Sequence, residues 1–130
     1  MNIGEAAKAS GVSAKMIRYY EETGLIAKAD RSQSGYRIYG DSEVHTLQFI
    51  RRARDLGFSV KAIGQLLELW QDRERASADV KAVALSHVAE LKGKIAELEA
   101  MSKTLQHLAK NCQGDKRPDC PILDDLAGDR

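Results

Sequence analysis

The sequence predicts a mainly α-helical protein with three parts: a small helical head that carries a β-hairpin, one long helix, and a short tail loop. Three observations support this architecture. Short apolar-periodic stretches separated by glycines fill the first half of the chain. A regular apolar repeat follows between residues 79 and 110. Both cysteines of the 130-residue chain, Cys112 and Cys120, come after that repeat.

The composition excludes several classes of protein. Aromatic residues make up only 5% of the chain, so a large aromatic core is excluded, and the apolar runs are far shorter than the roughly 20 residues that span a bilayer. With no secretory leader before Ile3, we expect a cytoplasmic protein whose thiols stay reduced.

The net charge of the chain is +1, but the positive charge is concentrated in the first half. Nine Lys/Arg and six acidic residues lie between positions 11 and 61. This local excess of positive charge permits nucleic-acid binding without indicating it.

The first two helices are predicted at residues 3–10 and 14–22. Gly11 interrupts the apolar pattern, and the hydroxyl of Ser13 can cap the second helix. Gly24 suits the left-handed conformation that ends a helix. Two short helices joined by a glycine-containing turn are typical of a helix-turn-helix.

A hairpin, or wing, is predicted next, because a glycine-containing polar turn leads into the alternating Tyr-Arg-Ile-Tyr of residues 36–39. Two more helices follow. One begins at Asp41 or Ser42 and ends at Gly57, and the other begins at Ser59. The head is therefore predicted to be a winged helix-turn-helix.

The long helix carries apolar residues at a 3-4-3-4 spacing, the a/d pattern of a coiled coil. The repeat comprises Val88, Leu91, Ile95, Leu98, Ser102 and Leu105. A helix of this length cannot bury its apolar stripe alone, so it needs a partner, most simply a second copy of the chain. We set the boundaries at 1–75 for the head, 76–111 for the dimerisation helix and 112–130 for the tail.

Two groups of residues are candidates for DNA contacts. Lys15, Arg18 and Tyr19 share one face of the second helix, and a helix in a major groove needs such long donors and a phenol. Tyr36, Arg37 and Tyr39 place two rings and a cation beside Gly35 at the hairpin, which suits phosphate contacts. An ordinary solvated helix face is the alternative for the first group, and packing against the core is the alternative for the hairpin tyrosines.

The loop between Cys112 and Cys120 is a candidate site for a soft metal ion. Thiolates favour ions such as Cu(I), and two ligands suit a monovalent d¹⁰ ion in linear coordination, whereas structural zinc needs four. Gly114 permits a tight bend, and the aspartates of the loop are expected to be turn and surface residues. Two free cysteines, or a disulfide formed on oxidation, are the alternatives. His107 is a candidate auxiliary ligand.

Several segments together resemble one known family. They are residues 1–7 (Met-Asn-Ile-Gly-Glu-Ala-Ala), 17–26 (Ile-Arg-Tyr-Tyr-Glu-Glu-Thr-Gly-Leu-Ile), 35–39 (Gly-Tyr-Arg-Ile-Tyr) and 51–58 (Arg-Arg-Ala-Arg-Asp-Leu-Gly-Phe). With the long helix, they are similar to MerR-type regulators over essentially the whole chain. The tail, two cysteines with seven residues between them followed by Pro-Ile, resembles the copper-efflux-regulator branch, whose members sense monovalent coinage-metal ions.

The resemblance implies roles for individual residues. Arg18 and Tyr19 would lie on the recognition helix. Tyr36 and Arg37 would contact the operator backbone from the wing. Arg54 would be a further phosphate contact, for which an ion pair with a neighbouring carboxylate is the alternative.

The resemblance also gives Ser77 a role in metal selectivity. Cysteine at this position accompanies divalent-ion sensors in the family, and serine accompanies monovalent ones. Ser77 is therefore expected beside the loop of the other protomer as a non-ligand, and the expected inducer is Cu(I), with Ag(I) or Au(I) as alternatives.

Taken together, these features predict a homodimeric, metal-responsive transcription activator that is not an enzyme. The resemblance implies an antiparallel coiled-coil dimer on double-stranded promoter DNA, where metal binding distorts the DNA until RNA polymerase can use the promoter. Ile122, Leu123 and Leu126 would form a short helix that relays the signal. A thiol redox sensor of the same fold is the main alternative, and a copper-buffering protein is another.

Overall fold

The computed structural model describes residues 1–33 and 35–128, in which six helices and one two-stranded sheet are present. The helices are α1 (Ile3–Ser10), α2 (Ala14–Glu22), α3 (Asp41–Asp55), α4 (Val60–Gln71), α5 (Ser77–Asn111) and α6 (Pro121–Ala127). The strands are β1 (Asp30–Arg31) and β2 (Arg37–Ile38), between α2 and α3. The order and type of the predicted elements are confirmed.

Short-range hydrogen bonds fix the helix-turn-helix. The side chain of Asn2 accepts from the amide of Glu5 at 2.8 Å while the Glu5 carboxylate accepts from the amide of Asn2 at 3.1 Å, a capping box for α1. Gly11 ends α1 with a φ of +78°. Ser13 then caps α2, as predicted, by accepting from the amide of Met16 at 3.2 Å.

The core of the head is formed by apolar side chains from α1, α2, α3, α4 and the residue after β2. Its most deeply buried members are Ala6, Ile17, Tyr20, Tyr39, Leu47, Ile50 and Ile63. Each large side chain buried in this way contributes roughly 1.5–3 kcal/mol to folding. At the edge of the core, the ring of Phe49 stacks on that of Trp70, with centroids 4.5 Å apart.

The wing is a short antiparallel hairpin, as predicted. Asp30 pairs with Ile38, and Arg31 pairs with Arg37. The amide of Gly35 donates to the carbonyl of Ser32 at 2.9 Å, and Gly35 takes a φ of +84°, which favours glycine at this turn.

The long helix α5 has 35 residues, so it extends about 52 Å at 1.5 Å per residue. Five side chains of its apolar repeat and flanking stripe are 42–63% exposed in the single chain: Val88, Ile95, Leu98, Met101 and Leu105. The chain forms two compact units, residues 1–83 and those from 84 onward. The division into head, dimerisation helix and tail stays a prediction. None of the described helices is both long and apolar enough to span a bilayer.

The tail ends in the short helix α6. Pro121 begins it, at the position where a missing amide hydrogen costs nothing. Leu123 and Leu126 on this helix are exposed in the single chain, whereas Ile122 is half-buried.

Candidate nucleic-acid interface and thiol site

The predicted residues of α2 share one solvent-facing surface. Lys15, Arg18 and Tyr19 are exposed, while Ile17 and Tyr20 on the opposite side are buried in the core. The helical period of 3.6 residues produces this separation. The surface is therefore held in a fixed orientation by the buried side of the same helix, as a groove-reading helix requires.

The two tyrosines of the wing have different environments. Tyr36 is 74% exposed, and Tyr39 is 1% exposed because it packs in the core. The wing tip near Tyr36 is braced by Arg31, whose Nη1 donates to the carbonyl of Gly35 at 2.9 Å. Of the two rings, Tyr36 is thus the one available to a ligand.

A buried carboxylate joins α2 to the wing. Glu21 is 3% exposed, and its Oε1 accepts from the hydroxyl of Tyr39 at 2.5 Å and from Nη1 of Arg37 at 3.1 Å. Its Oε2 accepts from the amide of Ala29 at 3.0 Å. Glu21 is not among the predicted site residues, although the sequence contains a signal for it: it stands four residues after the buried Ile17, on the apolar face of α2.

These contacts change the acidity of two neighbours of Glu21. Burial, followed by the hydrogen bond with Glu21, raises the pKa of Tyr39. The hydrogen bond with Tyr39, followed by the charge of Glu21, raises the pKa of Arg37. Arg37 therefore stays charged and tied to α2.

Two arginines of α3 extend the cationic surface beside the α1–α2 turn. Arg54 donates through Nη1 to the hydroxyl of Tyr20 at 2.7 Å, and among the described residues it forms no ion pair with Asp55. Arg51, which the sequence analysis did not single out, lies against Gly11. A Cβ at Gly11 would stand 1.9 Å from Nη1 of Arg51. Both arginines line a shallow cavity beside the start of α2.

The two cysteines stand at the ends of the tail loop. Both are free, half-buried thiols, and Cys112 is close enough to Cys120 to affect its pKa. The amide of Leu123 lowers the pKa of Cys120, the amide of Ile122 and the thiol of Cys112 add to this effect, and partial burial opposes it. These amides belong to the first turn of α6, where backbone N–H groups have no partner within the helix. Thiolate is the form that binds metal.

The loop between the cysteines is braced by an aspartate. Asp115 accepts from the backbone amide of Arg117 at 2.9 Å and from its Nε at 2.8 Å, and these bonds lower the pKa of Asp115. Gly114 bends the chain with a φ of +67°. Asp115 is thus engaged in the turn. His107, the auxiliary-ligand candidate, faces Asn111, with Nε2 and Nδ2 3.2 Å apart.

The described residues include no cluster of three or more His, Cys, Asp or Glu side chains placed to hold a metal ion. The donor set near the loop is therefore the thiol pair, which fits a soft ion satisfied by two ligands. Ser77 is exposed and is the first residue of α5. Its expected place beside the loop of a second protomer stays a prediction.

The head is a helix-turn-helix with a wing, and it presents a basic and aromatic helix face to solvent. A long helix with an exposed apolar repeat follows. These features together define a winged-helix DNA-binding regulator. Comparison with known families agrees: residues 1–70 match the MerR HTH family of regulatory proteins, and residues 44–108 match the family described as MerR, DNA binding. The chain belongs to the MerR family of transcription regulators, whose members are DNA-binding proteins rather than enzymes.

Curated relatives and solved structures support this assignment. The chain is 66% identical over 127 residues to heavy metal-dependent transcription regulator 2 of Rhizobium meliloti (strain 1021), covering 98% of this chain and 86% of that protein. It is 44% identical over 128 residues to the regulator CueR of Salmonella typhimurium, covering 98% and 93%. The crystal structure of PbrR691 from Ralstonia metallidurans CH34 with lead(II) superposes with a TM-score of 0.83 at 32% identity, covering 97% and 98%.

Proposed function

We propose that this protein is a homodimeric, metal-responsive transcription activator that binds Cu(I) through Cys112 and Cys120. The observation that carries the proposal is the proximity of these two free thiols at the ends of one braced loop. The relatives named as heavy metal-dependent and CueR regulators support a metal as the inducer. Ag(I) and Au(I) fit the same donors, because all three ions are soft and monovalent.

The chemistry of the loop favours a monovalent ion. Two thiolates and one such ion leave a net charge of −1, which the amides at the start of α6 can offset. When bound, the ion would act as a soft Lewis acid that links the residue after α5 to the residue before α6. Ser77 offers no third thiolate, so a divalent ion would lack a ligand that its sensors use.

The head supplies the DNA-reading part of the proposal. The exposed face of α2, with Lys15, Arg18 and Tyr19, suits a major groove. Tyr36 and Arg37 on the wing, together with Arg54 on α3, suit phosphates on the adjacent backbone, and such contacts fix the position of the protein without reading sequence. A dimer would place two heads on one double-stranded promoter.

Activation requires that the ion distinguish two conformations of the protein–promoter complex. It must bind the activating conformation more tightly than the repressing one, because equal affinity shifts no population. We propose that the activating form distorts the promoter so that RNA polymerase can engage it, and that α6 relays the signal from the loop.

The deciding experiment is an anaerobic titration of the reduced protein with Cu(I) against a competing chelator. We expect one tightly bound ion per protomer, lost in Cys112→Ser and in Cys120→Ser. His107→Ala is the matched control, and its unchanged affinity would exclude an auxiliary ligand at that position. Tight binding that survives loss of either cysteine would contradict the proposal.

A thiol redox switch is the second candidate, because two free thiols close to each other could also be oxidised to a disulfide. The two functions separate in a transcription assay with purified RNA polymerase. A Cu(I) sensor activates under strictly reducing conditions when the metal is added. A redox sensor activates with an oxidant alone and is unaffected by Cu(I).

A further inference from the structure

We propose that Glu21 is a positioning residue for DNA binding: it holds the guanidinium of Arg37 in a fixed orientation beside the recognition helix. The inference rests on the proposed contact between Arg37 and the DNA backbone. Glu21 would thus affect DNA affinity without touching the DNA itself, since only 3% of the residue is exposed.

The contacts of Glu21 tie three segments together. The residue stands on α2, and its carboxylate accepts from Arg37 on β2, from the hydroxyl of Tyr39 just after β2 and from the amide of Ala29 just before β1. Both ends of the wing are therefore fastened to the helix that carries Arg18 and Tyr19. A buried carboxylate with this many donors is fully satisfied, so it constrains geometry without an unpaired charge.

The ion pair with Glu21 leaves part of the Arg37 side chain exposed. Only Nη1 is engaged by Glu21, at 3.1 Å, and the side chain is 27% exposed. A guanidinium is a rigid planar fork with five N–H donors, so the contacts of Arg37 with Glu21 and Tyr39 fix the orientation of the whole group. A side chain that is already oriented loses less conformational freedom when it binds a phosphate, and this lowers the cost of the contact.

A double-mutant cycle tests the inference. The probe is a fluorescent duplex that the wild-type protein has selected from a randomised library, and anisotropy gives the affinity at several salt concentrations. We expect Glu21→Gln to weaken binding several-fold without changing the salt slope, because the cation remains. Arg37→Ala should weaken binding and also reduce the slope by roughly 0.9 for each lost phosphate contact. The double variant should bind like Arg37→Ala alone.

Glu22→Gln is the matched control, because Glu22 is the neighbouring acid of α2 and is exposed. It should bind DNA at least as well as the wild type. If Glu21→Gln does not fold, Arg37→Lys replaces it: the variant keeps the charge and Glu21 but loses the fork, so it should weaken binding with an unchanged slope.

The outcomes separate the inference from the proposed function. If Arg37→Ala binds like the wild type, the proposed contact of Arg37 is wrong. If Arg37→Ala weakens binding but Glu21→Gln or Arg37→Lys does not, the positioning role is wrong. An effect of Glu21→Gln that persists in full on the Arg37→Ala background would show that Glu21 serves folding only, and would also overturn the inference.

Discussion

The hydroxyl of Tyr39 is enclosed in the core with the carboxylate of Glu21 as its acceptor, and this placement makes the head sensitive to alkaline pH. Burial and that hydrogen bond raise the pKa of Tyr39 in the folded protein above the ordinary value of about 10. The unfolded chain therefore loses the phenolic proton at a lower pH than the folded one. The stability from this group is fully present below pH 10 and is lost as the pH rises towards the folded pKa.

We expect the free energy of unfolding to fall above about pH 10, by at most about 1.4 kcal/mol per pH unit for one group. Urea denaturation at a series of pH values from about 9 to 11 measures this fall. Tyr39→Phe should remove it, whereas Tyr36→Phe, which changes an exposed ring, should leave it in place. An equal slope in both variants would assign the effect to another group.

The backbone conformation of Gly11 and the closeness of Arg51 leave no room for a side chain at this position. Its φ is +78°, and a Cβ there would collide with Nη1 of Arg51. Gly11→Ala should therefore destabilise the head by roughly 1–2 kcal/mol and displace Arg51. Gly64→Ala is the control in α4, where a Cβ meets only Leu25 at 3.6 Å; it should stabilise by roughly 0.5–1 kcal/mol. Chemical denaturation compares the two, and equal effects would refute the clash.

At the scale of elements, the sequence predicted well what depends on near neighbours. The Ser13 cap of α2, the start of α4 after Ser59, the hairpin and the apolar repeat of α5 all arise from residues a few positions apart. The Glu21 network and the approach of Arg51 to Gly11 join residues 8 to 40 positions apart, and a local pattern contains no information on such pairs. For the same reason the sequence could not decide which wing tyrosine is buried.

The tail loop carries a prediction about its own rigidity. Asp115 and Arg117 hold the turn between the cysteines through three contacts of 2.8–2.9 Å. Arg117→Ala should release this turn, so ordering the loop around Cu(I) would cost more conformational entropy and the affinity should fall several-fold. Lys116→Ala, an exposed neighbour, is the control. Competition titrations of both variants would contradict the bracing role if the affinities were the same.

At the scale of the whole molecule, the exposed apolar repeat of α5 needs a partner helix to be buried. Leu98 is 63% exposed in the single chain, and Ala100 stands on the opposite side of the helix. Leu98→Lys should weaken dimerisation by roughly 3 kcal/mol or more, because each of two symmetric copies loses a buried side chain worth about 1.5–3 kcal/mol.

Ala100→Lys adds the same charge on the other face and should leave the dimer intact. Sedimentation equilibrium measures both. DNA binding should follow the dimer, since one head makes only half of the contacts with a two-fold operator. Dissociation in both variants, or in neither, would place the interface elsewhere on α5.

The two proposed metal ligands and the seven residues between them form one uninterrupted stretch of the sequence, residues 112–120. An inducer site of this kind can be exchanged as a cassette. A library that randomises residues 113–119 under selection with silver or gold salts would search for new inducers while the DNA-reading head stays constant. For synthetic biology, the proposed site would make the chain a reporter scaffold whose inducer and DNA target are specified by separate segments.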